Sequence, residues 1–174
     1  MPRDRTEVSR LATVLLWLFV VDLGIALGAG LYESRIVVPD WIHTAAVPPA
    51  WNADAARDDN TGIRFWVAVT TVPLTLLTLA NLWAGWRAPM SLRRWWLGTA
   101  TTALIERGLT LGYFVPTMVR LMQAENSPDA ASSAIQWAQL NNLRHLLVLA
   151  AWLAALKTFS LLYAHRGRSQ EVGE

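Results

Sequence analysis

The chain has 174 residues, a net charge of +2, 53% hydrophobic residues, ten Trp and no Cys, with a mean hydropathy of +0.28. Apolar content at this level exceeds that of an ordinary soluble domain. The absence of cysteine excludes structural disulfides, thiolate metal ligation and any dithiol redox relay. The small charge excess and the short, mixed-charge termini exclude nucleic acid as a partner class.

Four apolar stretches, 11–31, 64–86, 95–119 and 141–163, are each long enough to cross a bilayer, which takes about 20 residues at 1.5 Å rise per residue. The expected architecture is all-α, a single four-span membrane domain over 1–174 in the cell membrane. The first span, Leu11–Leu31, carries one charge, Asp22, and its outer half is rich in small residues, where Gly24 and Gly28 would admit a neighbouring helix. Its basic start also fits a signal peptide with Ala26-Leu27-Gly28 as a cleavage-like triplet, but the run is too long and Asp22 interrupts it. Beyond Leu31 the chain passes through Pro39 into a loop of about thirty residues; a loop this long in a small protein is a functional or mobile segment.

The second span contains Val69-Thr-Thr-Val-Pro73, so a kink is expected, with Thr70, Thr71 and Thr75 available for the freed carbonyl. A short link, 87–94, makes spans 2 and 3 an antiparallel hairpin. The third span carries Glu106 and Arg107 and ends in Tyr113-Phe-Val-Pro-Thr117. Residues 123–133 read as an exposed linker, after which Trp137 anchors the fourth span at the outer interface. Most of the other Trp lie near span ends or in loops, as aromatic belts would require; Trp152 alone lies well inside a span.

Arginine placement sets the orientation. Arg3, Arg5 and Arg10 precede span 1, Arg87, Arg93 and Arg94 fill the short link, and Arg166 and Arg168 follow span 4. In the other two loops Arg35, Arg57, Arg64 and Arg120 are diluted by seven acids, Glu33, Asp40, Asp54, Asp58, Asp59, Glu125 and Asp129. By the positive-inside rule both termini are cytoplasmic, and the long loop between spans 1 and 2 faces outward.

Ionisable residues inside hydrocarbon are costly and therefore informative. Asp22, Glu106 and Arg107 fall at similar depth, with Lys157 toward the cytoplasmic side. One reading pairs Asp22 with Arg107 and Glu106 with Lys157 as structural ion pairs; the other makes Glu106 or Asp22 a proton acceptor in a buried cavity. On span 4, Asn141 shares a helical face with Arg144 and His145, at i+3 and i+4. Tyr32, Glu33 and Tyr113 fall in the same outer third, so a polar pocket opening outward is expected. Only His145 among the three histidines lies in a span, which argues against bis-histidine haem. A divalent ion held by His145, a swung-in His43 and Glu33 or Glu106 is an alternative without a supporting spacing motif.

Gly28-Ala-Gly-Leu-Tyr-Glu33, Pro39-x-Trp41, Glu106-Arg107, Tyr113-Phe-x-Pro-Thr117 and Trp137-x-x-Leu-Asn-x-Leu-Arg-His145 together resemble the anthrone oxygenase-like family of small four-span membrane proteins. The resemblance implies a four-helix membrane bundle and, for the characterised branch, oxidation of flat polyphenolic anthrones to quinones without an evident organic cofactor. Asn141, Arg144 and Pro116 match its motif positions; the outer loop with Trp41 and Trp51 is longer than the pattern.

Two functions stay open. As an oxygenase or oxidoreductase on a lipophilic aromatic or phenolic molecule, the chain would use Asn141, Arg144, Tyr113, Tyr32 and Glu33 to hold it, with His145 or Glu106 removing a proton. As a non-catalytic protein it would be a small-molecule carrier or an accessory subunit of a membrane complex. Expected partners are the bilayer and a lipophilic small molecule, with homo-oligomerisation open.

Overall fold

The computed structural model describes residues 8–171; Arg3 and Arg5 lie outside the described residues, as do the side chains of His165, Arg166 and Arg168. Ser9 starts α1 (Arg10–Trp41), its hydroxyl accepting the Ala12 N–H at 3.2 Å, which satisfies one of the free amides of the first turn. The helix does not stop at Leu31. It passes through a π-helical turn at Glu33–Val37 and runs on to Trp41. Pro39 falls in the first turn of that last α-helical piece, directly after the π-helical turn.

The expected loop is therefore mostly ordered structure. Strands β1 (Ile42–His43) and β2 (Ala50–Trp51) pair antiparallel, Ile42 with Trp51 and His43 with Ala50. The short helix α2 (Ala53–Asp59) follows, with Asn52 accepting the Ala55 N–H at 3.1 Å. These pieces form a cap. Trp41, Trp51, Ala53 and Ala56 share an apolar cluster with Phe114, Leu121, Ala134 and Trp137. Trp51 donates to the Leu121 carbonyl at 2.9 Å, Trp41 to Asp59 at 2.7 Å and Arg57 to the Met122 carbonyl at 2.5 Å.

Next come α3 (Gly62–Arg87), α4 (90–123) and α5 (Pro128–Glu171). The expected linker 123–133 is another correction, because helix resumes at Pro128. Ser127 caps it, accepting the Ala130 N–H at 3.2 Å on its hydroxyl, while Pro128 stands at the first helical position and Asp129 puts negative charge at the positive end of the helix dipole. Ala130, Ala131 and Ala134 are buried under the cap, and Trp137 is buried with its indole N–H on the Phe114 carbonyl at 3.1 Å instead of anchoring an interface.

Helix α1 packs between α3 and α5, and α4 packs between the same two from the other side. Gly24 and Gly30, not Gly28, provide the close approaches of α1: a Cβ on Gly24 would stand 3.2 Å from the Trp152 indole nitrogen, whereas nothing lies within 4 Å of one on Gly28. Phe19, Leu23, Leu74, Ala103, Val148 and Ala151 fill the middle of the bundle. Leu16, Ala84, Leu92, Trp96 and Leu162 fill the end near the α3–α4 link, where Trp96 donates to Asn81 at 3.0 Å and Asn81 donates to the Leu15 carbonyl at 3.1 Å.

Three helices, α1, α3 and the 128–164 part of α5, are long and apolar enough to cross a membrane. Large apolar side chains stand on the outside of the bundle, among them Leu18, Val21, Leu76, Leu104, Ile105 and Leu146, while Asp22, Glu106, Arg107 and Asn141 are buried within. That is the reverse of the arrangement a water-soluble bundle requires.

Candidate functional site

Three π-helical segments, Glu33–Val37, Gly62–Thr71 and Thr110–Phe114, are each followed directly by Val-Pro, at 38–39, 72–73 and 115–116. Proline has no N–H, and its ring collides with the carbonyl four residues back; a wider turn upstream moves that carbonyl aside. In α3, Thr70 donates to the Trp66 carbonyl at 3.2 Å and Thr75 to the Thr71 carbonyl at 2.6 Å, each one turn back along its own helix and neither to the Val69 carbonyl four residues before Pro73. The three wide turns bring side chains to one level of the bundle.

At that level Glu33 is buried, and one of its carboxylate oxygens accepts from Thr61 at 2.6 Å and from the Trp66 indole at 2.7 Å. Across from it, Glu106 and Arg107 form a bidentate pair between chain neighbours at 2.6 and 2.7 Å, both nearly inaccessible. Thr110, one turn on, donates to Glu106 at 2.8 Å. Neither expected ion pair forms. Arg107 turns to its neighbour Glu106 because the guanidinium fork fits a carboxylate, and Lys157 lies exposed on the outside of α5. Asp22 is buried, within coulombic reach of Arg107, and neither carboxylate oxygen has a hydrogen-bond partner.

The face Asn141, Arg144, His145 points into this interior. Asn141 is 1% and His145 5% exposed; the amide oxygen and nitrogen of Asn141, both ring nitrogens of His145 and the Nε of Arg144 have no hydrogen-bond partner among the described residues. The Arg144 guanidinium lies 5.1 Å from the centre of the Phe114 ring and 5.7 Å from that of Trp66, in cation–π range. Glu33 and Glu106 act on it by charge at longer range, their oxygens being engaged by Thr61, Trp66, Arg107 and Thr110. The His145 ring lies against the α1 backbone, where a Cβ on Gly30 would come within 2.6 Å of its Nε2. Buried polar atoms are nearly always paired in proteins. Five unpaired ones on three residues of one face, beside the two oxygens of Asp22, make this face the candidate site among the described residues.

Of the residues expected at the site, Asn141, Arg144, His145, Glu33 and Glu106 come together. Tyr32 does not, being 62% exposed on the outside of α1. Tyr113 lines a different cleft of about 440 Å³ with Thr117, Arg120 and Asp129. Sequence reasoning missed Thr61, Trp66 and Gly30, which lie far in the chain from the groups they touch. Thr110 it also missed, although its position four residues after Glu106 was a legible signal.

A second cleft of about 270 Å³ runs along the α1–α5 seam, between Ser34, Val38 and Pro39 on one side and Ile135, Ala138 and Asn141 on the other. Asn141 forms its inner wall, and His145 lies one turn deeper. Among the described residues no group of three or more His, Cys, Asp or Glu gathers where it could hold a metal ion, and His43 lies exposed in the cap hairpin. No family model, curated protein or solved structure matches the chain.

Proposed function

We propose that the chain is a four-span integral membrane protein with both termini cytoplasmic, and that its face of Asn141, Arg144 and His145 holds a lipophilic aromatic or phenolic molecule for oxidation. Helix α4 is counted as a span because the residues that lower its hydropathy, Thr99, Glu106, Arg107 and Thr110, are buried, whereas Leu104, Ile105, Leu109, Leu111, Val115 and Val119 face outward. Arg87 over Trp83 at 4.0 Å and Arg93 over Trp86 at 4.7 Å fit a cationic and aromatic anchor at the cytoplasmic interface.

The observation that carries the ligand site is the set of unpaired buried polar atoms on one helical face. Asn141 supplies a donor and an acceptor, and a neutral His145 supplies one of each. Arg144 supplies a permanent positive charge beside them, with no carboxylate of the described residues bonded to it. A phenol seated there has His145 in reach as base and Arg144 to stabilise the oxyanion. Glu106 is the weaker candidate for the base, since Arg107 and Thr110 already bond its carboxylate.

The resemblance to anthrone oxygenase-like proteins supplies the reaction class. Removal of a proton from a methylene between aryl rings leaves a carbanion that reacts with oxygen, so that CH2 and O2 become C=O and H2O. The test is oxygen uptake by the purified chain with an anthrone in detergent. Arg144→Lys keeps the charge and loses the planar fork, so it should leave folding intact and abolish uptake, while His145→Ala should slow uptake by about 10²- to 10⁴-fold. Wild-type uptake in both variants would overturn the assignment. Absence of uptake in the unaltered chain would leave a carrier, the second reading of the same site.

A further inference from the structure

The two clefts differ in charge. The one beside Tyr113 is lined by Arg120 and Asp129, whereas none of the residues lining the α1–α5 cleft is charged. Its walls mix the apolar Val38, Pro39, Ile135 and Ala138 with the uncharged polar Ser34, Thr44, Gln139 and Asn142, and Asn141, 1% exposed with the whole amide unpaired, is its most buried polar group. Arg144 is absent from the lining, although it neighbours Asn141 on the same face. An entering molecule therefore meets apolar surface and uncharged hydroxyl and amide groups before any charge.

From this we infer that the α1–α5 cleft is the entry and head-group site for an uncharged amphiphile, one whose head both donates and accepts a hydrogen bond, such as a neutral phenol, and that it excludes the corresponding carboxylate. A carboxylate would have to shed its water in a cleft that offers no cation, and charge is costly to bury unpaired. A hydroxyl can give its proton to the Asn141 oxygen and take one from the nitrogen. A volume of about 270 Å³ lies just under the roughly 300–1,000 Å³ of drug-sized sites, which limits the occupant to one or two rings. The inference rests on the proposed ligand site and adds the route and the ionisation state of what enters.

The chain has no cysteine, so one introduced thiol reports on one place. Asn142 lies exposed at the cleft mouth, and Ser133 lines the other cleft. Full-length Asn142→Cys and Ser133→Cys chains in detergent are labelled with a neutral maleimide in the presence of 2-naphthol or 2-naphthoate at pH 7. The expected result is that 2-naphthol slows labelling saturably at Asn142→Cys and not at Ser133→Cys, and that 2-naphthoate needs a concentration at least about tenfold higher. Asn141→Leu should raise the half-protecting naphthol concentration by about tenfold, the loss of roughly one well-made hydrogen bond. Ala138→Phe, which fills the cleft without touching Asn141 chemistry, should act alike and serves if Asn141→Leu does not fold. Equal protection by the two probes, protection at both thiols, or protection indifferent to the cleft variants would overturn the inference. Selective protection without oxygen uptake would overturn the oxidation reading alone.

Discussion

Replacing Gly30 with Ala tests the seam on which the candidate site depends. The added Cβ would stand 2.6 Å from His145 Nε2 and 2.9 Å from Cδ2, inside the 3.0 Å that real Cβ contacts essentially never breach. Ordinary contact begins at 3.4 Å, so the imidazole must retreat by about 0.8 Å. The ring is buried at 5% exposure, and overpacking of this kind costs about 1–3 kcal/mol. A displacement on the order of 1 Å of a catalytic group costs about 10²-fold in rate. Unfolding in mixed detergent micelles, followed by tryptophan fluorescence, measures the first effect, and oxygen uptake the second. The deciding comparison is the same substitution in a His145→Ala chain. With the ring gone the clash is gone, and alanine outranks glycine in a helix interior by about 0.8–1 kcal/mol, so Gly30→Ala should there stabilise. A sign change between the two backgrounds is the coupling signature of a direct contact. An equal cost in both would refute the placement of His145 against α1.

Breaking the buried pair through Glu106→Gln or Arg107→Gln should cost about 3–5 kcal/mol, and replacing both with Leu should recover most of it; Lys157→Leu, outside and unpaired, should change stability by less than about 0.5 kcal/mol. The same micelle unfolding assay separates these, and a large cost at Lys157 would restore the Glu106–Lys157 pairing that spacing alone suggested. Reporter fusions at residue 90 and after 170 should read cytoplasmic, and insertions near 46 and 125 external, since an external C-terminus would undo the four-span count. Asn141→Leu should stabilise the folded chain, because two unpaired polar atoms cost about 1–3 kcal/mol each, while weakening ligand binding.

The helical class and the apolar stretches within α1, α3, α4 and α5 were legible, because apolar runs longer than 20 residues have few other outcomes, but α1 runs on ten residues past Leu31 and α5 starts at Pro128, thirteen residues before 141. The face Asn141, Arg144, His145 was legible because i, i+3 and i+4 share a helix side whatever surrounds it. Pairing across the bundle was not. Depth along a helix gives no rotation about its axis, so Asp22 was assigned a partner at the right level that turns elsewhere, and Glu106 one that lies toward the cytoplasmic side and faces outward. Lys157 faces outward, and Arg107 bends to the residue before it, a choice between two nearby carboxylates that side-chain rotamers decide. The cap was hidden for another reason: its Trp41, Trp51 and Trp137 carry the composition of an interface belt, and only tertiary contact with Phe114 and Leu121 reveals a small apolar core. Ser127-Pro128-Asp129 was a readable helix start, overlooked beside the polar composition of 123–133.

The distribution of order in this bundle bears on why the polar level exists. Apolar clusters close both ends and the middle, and those contacts suffice to define a four-helix packing. Between the middle cluster and the cap the chain places two carboxylates in well-bonded sets, one with Thr61 and Trp66, the other with Arg107 and Thr110. A buried ion pair such as Glu106–Arg107 is often replaceable by well-packed hydrocarbon of similar volume at little cost in stability, so stability alone is a weak account of it. What the two sets do is hold Glu33 and Glu106 away from Arg144, each by bonds to its own partners. The three wide helical turns before Pro39, Pro73 and Pro116 serve the same end, delivering Glu33, Trp66 and Phe114 around the guanidinium at a level where regular helix would rotate them elsewhere. A structural ion pair would use the nearest carboxylate; here Glu33 and Glu106 are occupied, and apart from the two oxygens of Asp22 the unpaired buried side-chain atoms of the described residues are collected on one face of α5. That division, with Glu33 on α1 and Glu106 on α4 bonded to their own partners and five unpaired polar atoms gathered on one face of α5, is the physical case for reading the face as a binding site and those two acids as its fixed surroundings.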